Sequence, residues 1–566
     1  MHFEFRSEKG NVFLRITGTI ASFCFFQLIA IFSFAQSLPV GTPLLEDAAK
    51  RLQVKGELGV NSSFLVRPLS SQALFADDST FQEGGFFISS QSLLKKGRVL
   101  LKSLPVSVKQ QYNTNHPFGW NDGSMIPVKG YQSQLTAGLY AKAGPLSIQL
   151  QPEFVYAQNA AFSLFPASNS DSIWKAYYHI LNGIDNPEKF GNGSYLKLFP
   201  GQSSVRLNYK KISIGVSTEN LWWGPGVRNS LIMSNNAPGF KHITFNTTSP
   251  VKTGVGSFEW QVISGLMSSS GILPSDTTRT FEGQKLYKAK NDQERYLNGM
   301  VITWQPKWTK GLYLGITRIF YQSKLNVSSS LNGYLPIVTS FFKSKALDEN
   351  TFGGRDQLFS FFSRLVLPES KAEVYAEYGR NDHSQNFRDL ILEPEHARGY
   401  LVGVKKLFFS NKGDDIELFF ELTNLQRTST LQLREQPIWY VHHQIPHGYT
   451  NQGQVIGAGI GPGGSSQTIG LNWLKDLSKF GVMFERIVHN NDFYYDAFAS
   501  RQEFGRHWVD LAFNLNKSWV QKRFIYSANL SLVRSLNYQW QYNTELDENV
   551  DVTNLHATFS ISYLFR

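Results

Sequence analysis

The 566-residue chain is almost without cysteine: Cys24 is the only one. It lies in an apolar run at 16–34, between Phe23 and Phe25, which do not frame a lipid-attachment box. If that run is removed, no thiol remains, so disulfides, zinc–thiolate sites and a thiol nucleophile are excluded. Beyond residue 35 there is no stretch of about 18 apolar residues, which excludes a spanning helix. A Ser/Gly- or Pro-rich linker, coiled-coil heptads and a low-complexity tract are all missing, so nothing marks a string of soluble domains. There is no HExxH and no G-x-S-x-G elbow. Acidic residues are in deficit, 44 against 55 Lys and Arg, giving a formal charge of +11.

What is present begins with a leader. Arg6, Lys9 and Arg15 precede the apolar run, and Ser33-Phe-Ala35 offers the small residues that a signal peptidase reads. Residues 1–35 are expected to be a signal peptide cleaved after Ala35. A membrane anchor is the alternative, but no basic stop-transfer cluster follows the run. Removing three basic and two acidic residues with it leaves a charge of +10.

Aromatic residues reach 14 %, with 44 Phe, 24 Tyr and 12 Trp, yet the mean hydropathy is only −0.25. The apolar residues must therefore be interleaved with polar ones. In "DIELFFELTNL", Ile416, Leu418, Phe420 and Leu422 share one face of a strand, and Glu417, Glu421 and Thr423 the other. In "RFIYSANLSL", Phe524, Tyr526, Ala528, Leu530 and Leu532 oppose Ser527, Asn529 and Ser531. "WVDLAFNLN" and "KAEVYAEYG" alternate likewise. A soluble sandwich would alternate too, so the connections decide. From about Arg98, strands of roughly ten residues, the length a tilted membrane strand needs, are joined by links that alternate short and long. The short ones fall at 144–145, 210, 249–252, 306–310, 368–371, 410–414, 476–479 and 517–522. The long ones fall at 114–130, 158–202, 220–240, 267–295, 323–356, 382–397, 426–465, 490–505 and 537–552. The last segment, "NLHATFSISYLFR", runs alternating to the end with Phe565 penultimate.

The sequence thus predicts an all-β fold: a transmembrane antiparallel β-barrel of about 18 strands over 98–566, an even count as in bacterial barrels, with short periplasmic turns and long outer loops. Ahead of it, 36–97 forms a short helical periplasmic segment. Its "GTPLLEDAAKRLQVKG" has Thr42 to cap, Pro43 at the first helical position, Leu44, Leu45, Ala48 and Leu52 on one face, and Gly56 as a stop.

Two Gly-punctuated blocks stand in long links. In the first, if "KISIGVSTENLWW" stays extended, Trp222 continues the lipid face as an interfacial aromatic and Trp223 points to the lumen. Trp223 there either packs its own loop inward or touches a ligand. This block, "LWWGPGVRNSLIMSNNAPGF", resembles the signature of the capsule-assembly Wzi family of outer-membrane proteins. The second, "WYVHHQIPHGYTNQGQVIGAGIGPGG", is similar to that family's other marked stretch, and "FSRLVLPESKAEVYAEYGRND" at 362–382 also looks like its pattern. The resemblance spans nearly the whole mature chain. It implies an eighteen-stranded outer-membrane barrel with a helical N-terminal portion, acting as a surface lectin that tethers capsular or exopolysaccharide.

Sugar binding needs flat apolar faces for C–H groups, amides for hydroxyls, and an Arg fork for the carboxylate of an acidic sugar. The blocks provide Trp222, Trp223, Arg228, Asn235 and Asn236 in one, and Trp439, Tyr440, His442, Tyr449 and Asn451 in the other. They are expected to meet near the outer mouth, although each Asn would also serve a tight turn. The expected partners are an acidic polysaccharide drawn by the basic charge, outer-membrane lipid and lipopolysaccharide. No nucleic acid, cofactor or metal is expected, and the protein is read as a monomer. Two alternatives remain. An enzyme would need His442, His443 and His447 to converge on a metal, or Glu373 and Glu377 to bring their carboxyls together. A passive porin or export channel would need an open lumen.

Overall fold

The computed structural model describes residues 36–71, 73, 92–96, 99–291, 293–338, 354–381, 387–409, 414–428, 436–503, 505–543 and 548–565. The expected signal peptide and its cleavage point lie outside the described residues.

Eighteen antiparallel staves close into a barrel. They are β1 (Val99–Asn113), β2 (Gly130–Ala143), β3 (Leu146–Leu150 and Glu153–Ala157), β4 (Tyr195–Phe199 and Ser204–Tyr209), β5 (Ile212–Ser217) and β6 (Lys241–Thr247, resumed at Val251–Thr253). Next come β7 (Gly256–Met267), β8 (Arg295–Pro306), β9 (Leu312–Ser323), β10 (Asp356–Leu367), β11 (Ala372–Arg380) and β12 (Arg398–Phe409). The last are β13 (Asp415–Asn424), β14 (Ser465–Lys475), β15 (Ser478–Val488), β16 (Val509–Gln521), β17 (Phe524–Leu536) and β18 (Val552–Tyr563). Each pairs with its sequence neighbour, and β18 returns to β1 in the register His556↔Asn113 to Tyr563↔Val106. Closure leaves no open sheet edge, which is the condition for a sheet to sit in lipid.

The faces are inverted relative to a soluble fold. On β13, Leu418 and Phe420 are exposed while Glu421 and Thr423 are buried. On β16 and β17, Phe513, Leu530 and Leu532 face out, and Asp510, Asn514 and Ser531 face in. The alternation is therefore real, and its oily side is the outer wall. The alternation of short and long links holds all round the barrel. Some boundaries move: the 158–202 link ends sooner, because Tyr195–Phe199 is already strand, pausing only at Pro200 and Gly201 before Ser204–Tyr209, the 517–522 link shrinks because Val509–Gln521 is strand, and strand resumes at Val251–Thr253 inside the 249–252 link.

The N-terminal helix α1 (Pro43–Lys55) stops at Gly56, whose φ of 79° is left-handed. Thr42 stands at the cap position, but its hydroxyl donates to the Pro39 carbonyl (2.7 Å) instead of capping. Leu45 and Ala49 pack with Leu38, Leu58, Phe64 and Leu69 into a small separate core. The helix sits in the mouth on the short-turn side. Lys55 pairs with Asp415 (2.9 Å) and Asp47 with Lys479 (3.5 Å). Inside, Arg364 on β10 donates to the Gln53 side chain (2.7 Å), and Ser63 donates its backbone N–H to Glu259 on β7 (2.8 Å).

Candidate functional site

The first block does not continue β5. That strand ends at Ser217, and Trp222–Trp223 instead form a two-residue antiparallel ladder with Val66–Arg67 of the N-terminal segment. The link 218–240 thus dives into the lumen and meets the segment rising from the other mouth. The lipid-facing reading of Trp222 is overturned. Its ring is buried under the Arg67 guanidinium at 4.8 Å, and Arg67 also pairs with Glu46 (2.6 Å) and donates to the Gly224 carbonyl (2.9 Å). Trp223 does point to the lumen, fully buried, with Nε1 donating to Gln261 on β7 (2.9 Å). It packs within the lumenal core.

The next turn of this block is fixed by one carboxylate. Glu421 on β13 accepts from the backbone N–H groups of Val227 (2.6 Å), Arg228 (3.0 Å) and Asn229 (2.9 Å), and from the Tyr375 hydroxyl (2.9 Å). Such a fan of donors is what a buried carboxylate requires. It aims Arg228 at Glu485 on β15, which it holds as a fork (Nε 2.7 Å, Nη2 2.9 Å).

The second block meets the first, as expected. Tyr440 donates its hydroxyl to the Leu231 carbonyl (2.7 Å) and accepts from Ala458 N–H (2.9 Å). Asn236 donates to the Val455 carbonyl (2.9 Å), and Asn451 to the Pro238 carbonyl (3.0 Å). Tyr449 stacks on Tyr440 at 6.0 Å, and burial pushes both phenols above their ordinary range, so they stay protonated. Trp439 lies over Gly379 and Gly399 on neighbouring strands, where added Cβ atoms would come within 2.9 Å and 2.7 Å of its ring. These residues, with Trp223, form the middle of a lumenal core that also takes in Ile319, Leu358, Phe362 and Leu401 from the wall. The two blocks therefore meet as a plug. Trp222, Trp223, Asn235, Trp439, Tyr440, Tyr449 and Asn451 are buried in it, and Arg228, Asn236 and His442 stay partly open.

The enzyme-like constellations are taken up elsewhere. Arg364 holds Glu373 (2.5 Å), whereas Glu377 accepts from Leu231 N–H (3.3 Å). His442 Nδ1 accepts from Ile445 N–H (3.0 Å), and His443 packs on His179 (ring centroids 4.4 Å).

A cleft of about 160 Å³ opens on the long-loop side, beside the inner face of β1. Phe118 and Trp120, both from the 114–129 link, give it apolar walls; Asp122, Asn186, Asn236 and Gln454 bring polar groups. Trp120 is half-buried; its Nε1 donates to the Arg228 carbonyl (3.2 Å), and the Arg228 guanidinium lies 4.7 Å from its ring centre. Asn121 ties these two links together: its side chain donates to the Arg228 carbonyl (2.7 Å), and its own carbonyl accepts from Asn235 (2.8 Å). Burial alone would raise the Asp122 carboxyl, but Lys109 at 2.5 Å and Gln111 at 3.2 Å hold it below its ordinary value. The cleft thus offers an aromatic face, amides, a carboxylate and an adjacent guanidinium. Sequence reasoning missed Trp120, Asp122, Asn186 and Gln454. The signal for the first two was "HPFGWNDGS", a tryptophan followed by turn residues in the first long link.

Known proteins resemble this chain to different degrees. A family model described as capsule assembly protein Wzi matches residues 107–552. Among solved structures the chain is similar to Wzi of Escherichia coli, an outer-membrane carbohydrate-binding β-barrel involved in group 1 capsule assembly. That likeness has 15 % identity, covers 94 % of this chain and 100 % of that one, and has a TM-score of 0.60. Acinetobacter baumannii OccAB1 aligns at 7 % identity over 84 % of this chain and 98 % of that one, with a TM-score of 0.37. OprD of Pseudomonas aeruginosa aligns at 7 % identity over 85 % and 97 %, with a TM-score of 0.36. No curated protein matches the chain by sequence.

Proposed function

Because the chain belongs to the Wzi family of capsule-assembly proteins, we propose that it works as a surface lectin of the outer membrane, holding capsular or exopolysaccharide at the cell exterior. The first 35 residues direct export and are removed, the α1 segment closes the periplasmic mouth, and the long links face outward. The observation that carries the reading is the cleft, where a half-buried Trp120 stands beside amides and the Arg228 guanidinium on the long-loop side. A sugar ring stacks its C–H face on the indole while Asn186, Asn236 and Gln454 exchange hydrogen bonds with hydroxyls. Arg228, Asn236 and His442 are the anticipated residues that keep exposed surface for contact, and the remaining ones form the platform behind them. The positive charge favours an acidic polymer.

Binding, not catalysis, is the proposed activity, and the filled lumen favours a lectin over a porin. Cells lacking the protein are expected to make their polysaccharide but shed it into the medium, and pull-down of that polymer by purified protein in detergent should succeed. Retention of the polymer on such cells, or steady open-pore current in planar bilayers, would overturn the reading.

A further inference from the structure

The outer wall carries an arrangement that the lectin reading does not use. On β11 the outward-facing residues run Val374, Ala376, Tyr378, Arg380; on β12 they run Val404, Val402, Tyr400, Arg398. Val374, Val402 and Val404 are exposed to lipid, the two tyrosines stand where an interfacial girdle belongs, and each column ends on an arginine on the long-loop side. Arg380 and Arg398 are directly opposite each other in the ladder. Like charges placed so repel. Yet Arg380 is 3 % exposed, and among the described residues its Nε, Nη1 and Nη2 meet no carboxylate or carbonyl acceptor, only the neighbouring Tyr378 phenol interacting with it. Arg398 is half-buried; its Nη1 is likewise without an acceptor, and its guanidinium lies 5.0 Å from the Tyr400 ring centre. Four buried guanidinium nitrogens without an anionic acceptor among the described residues are a costly state. The same ladder row continues through Phe359 to Arg318 on β9, which adds a third cation to this wall.

We infer that Arg380 and Arg398 form a site for the phosphate of an outer-leaflet glycolipid headgroup. A phosphate provides several acceptor oxygens and matches the guanidinium fork. The position of the pair, one outward step beyond the tyrosines, puts it at headgroup depth. Its place on the lipid-facing wall separates it from the lumenal cleft, so the proposal stands or falls independently of polysaccharide binding.

The test is native mass spectrometry of the purified protein in detergent with three probes: bis-phosphorylated lipid A, the same lipid A with its phosphates removed, and inorganic phosphate. Wild type is expected to retain the bis-phosphorylated form at least tenfold better than the dephosphorylated one. Arg380→Gln/Arg398→Gln should lose that preference. Arg486→Gln/Arg534→Gln, at exposed arginines on another part of the wall, should keep it. Heat-modifiable migration on gels checks that each barrel is folded, and Arg398→Gln alone is read if the double variant is not. Four results would overturn the inference. One is an unchanged preference in the folded Arg380/Arg398 variant, and another is equal loss in the control. The third is stabilisation by inorganic phosphate as strong as that by lipid A, which would mark a soluble-anion site. The fourth is loss of polysaccharide retention with lipid A binding intact, which would assign the pair to the polymer.

Discussion

Replacing Trp120 with alanine is the sharpest probe of the cleft. The indole stands half-buried, with Arg228 against it, and lines the cavity beside Phe118. A sugar ring on such a wall covers roughly 50 Å² of it, worth about 1.3 kcal/mol at about 25 cal/mol per Å². The face-specific part of aromatic contact adds about 0.5–1 kcal/mol. The sum, about 2 kcal/mol, corresponds to roughly 30-fold weaker binding. The same substitution removes the Nε1 bond to the Arg228 carbonyl, which helps hold the 114–129 link. Trp120→Phe separates the two effects, because it keeps an aromatic face and drops only the hydrogen bond. Titration calorimetry with short fragments of the cell's own polysaccharide, in detergent, reads both variants. The expected order is wild type, then Trp120→Phe within about threefold, then Trp120→Ala far weaker. Binding by a folded Trp120→Ala within threefold of wild type would refute the placement of sugar in this cleft.

Three further outcomes follow from the geometry. Glu421→Ala leaves one buried and two part-buried backbone N–H groups without their acceptor, so destabilisation of about 3 kcal/mol is expected, seen as trypsin cleavage after Arg228 that the wild type resists. Gly379→Val pushes a side chain into the ring of Trp439, and overpacking of about 1–3 kcal/mol should lower the melting midpoint, whereas substitution of Gly144, which has open space around it, should not do so by crowding. The third concerns Asp492 in the short helix Asn491–Ala497, which burial raises to about 6 although Arg427 opposes the shift. Its folded form binds more protons than the unfolded one between the ordinary 3.8 and about 6, so loop stability falls as pH rises through that window and is level above it. Asp492→Asn should flatten this slope in melting curves taken across pH 4–7.

Strand positions and link lengths were legible because period-two alternation is a local property, imposed on every stave by lipid on one side and a polar lumen on the other. The pause at Pro200 and Gly201 hid Tyr195–Phe199, since a proline followed by a glycine reads as a loop even where a barrel strand resumes beyond it. The inward course of Trp222 was not legible. It depends on pairing with Val66–Arg67, some 150 residues earlier, and a two-residue ladder has no signature of its own. The meeting of the two glycine-punctuated blocks was anticipated, but their burial was not. Indoles and phenols suit a wet sugar site and a packed plug equally, and only the facing Gly379 and Gly399 show which of the two Trp439 serves.

The ladder between Trp222–Trp223 and Val66–Arg67 has a mechanical side. Drag on anything gripped at the outer rim enters the protein through the links at 114–129, 218–240 and 436–464. It does not stop in those links. It passes through the Arg67–Glu46 pair to α1, and through Lys55–Asp415 and Asp47–Lys479 into the turns at the opposite end. The load is therefore carried in shear along the full height of the cylinder, and a hold that looks superficial is rooted at the far side of the membrane.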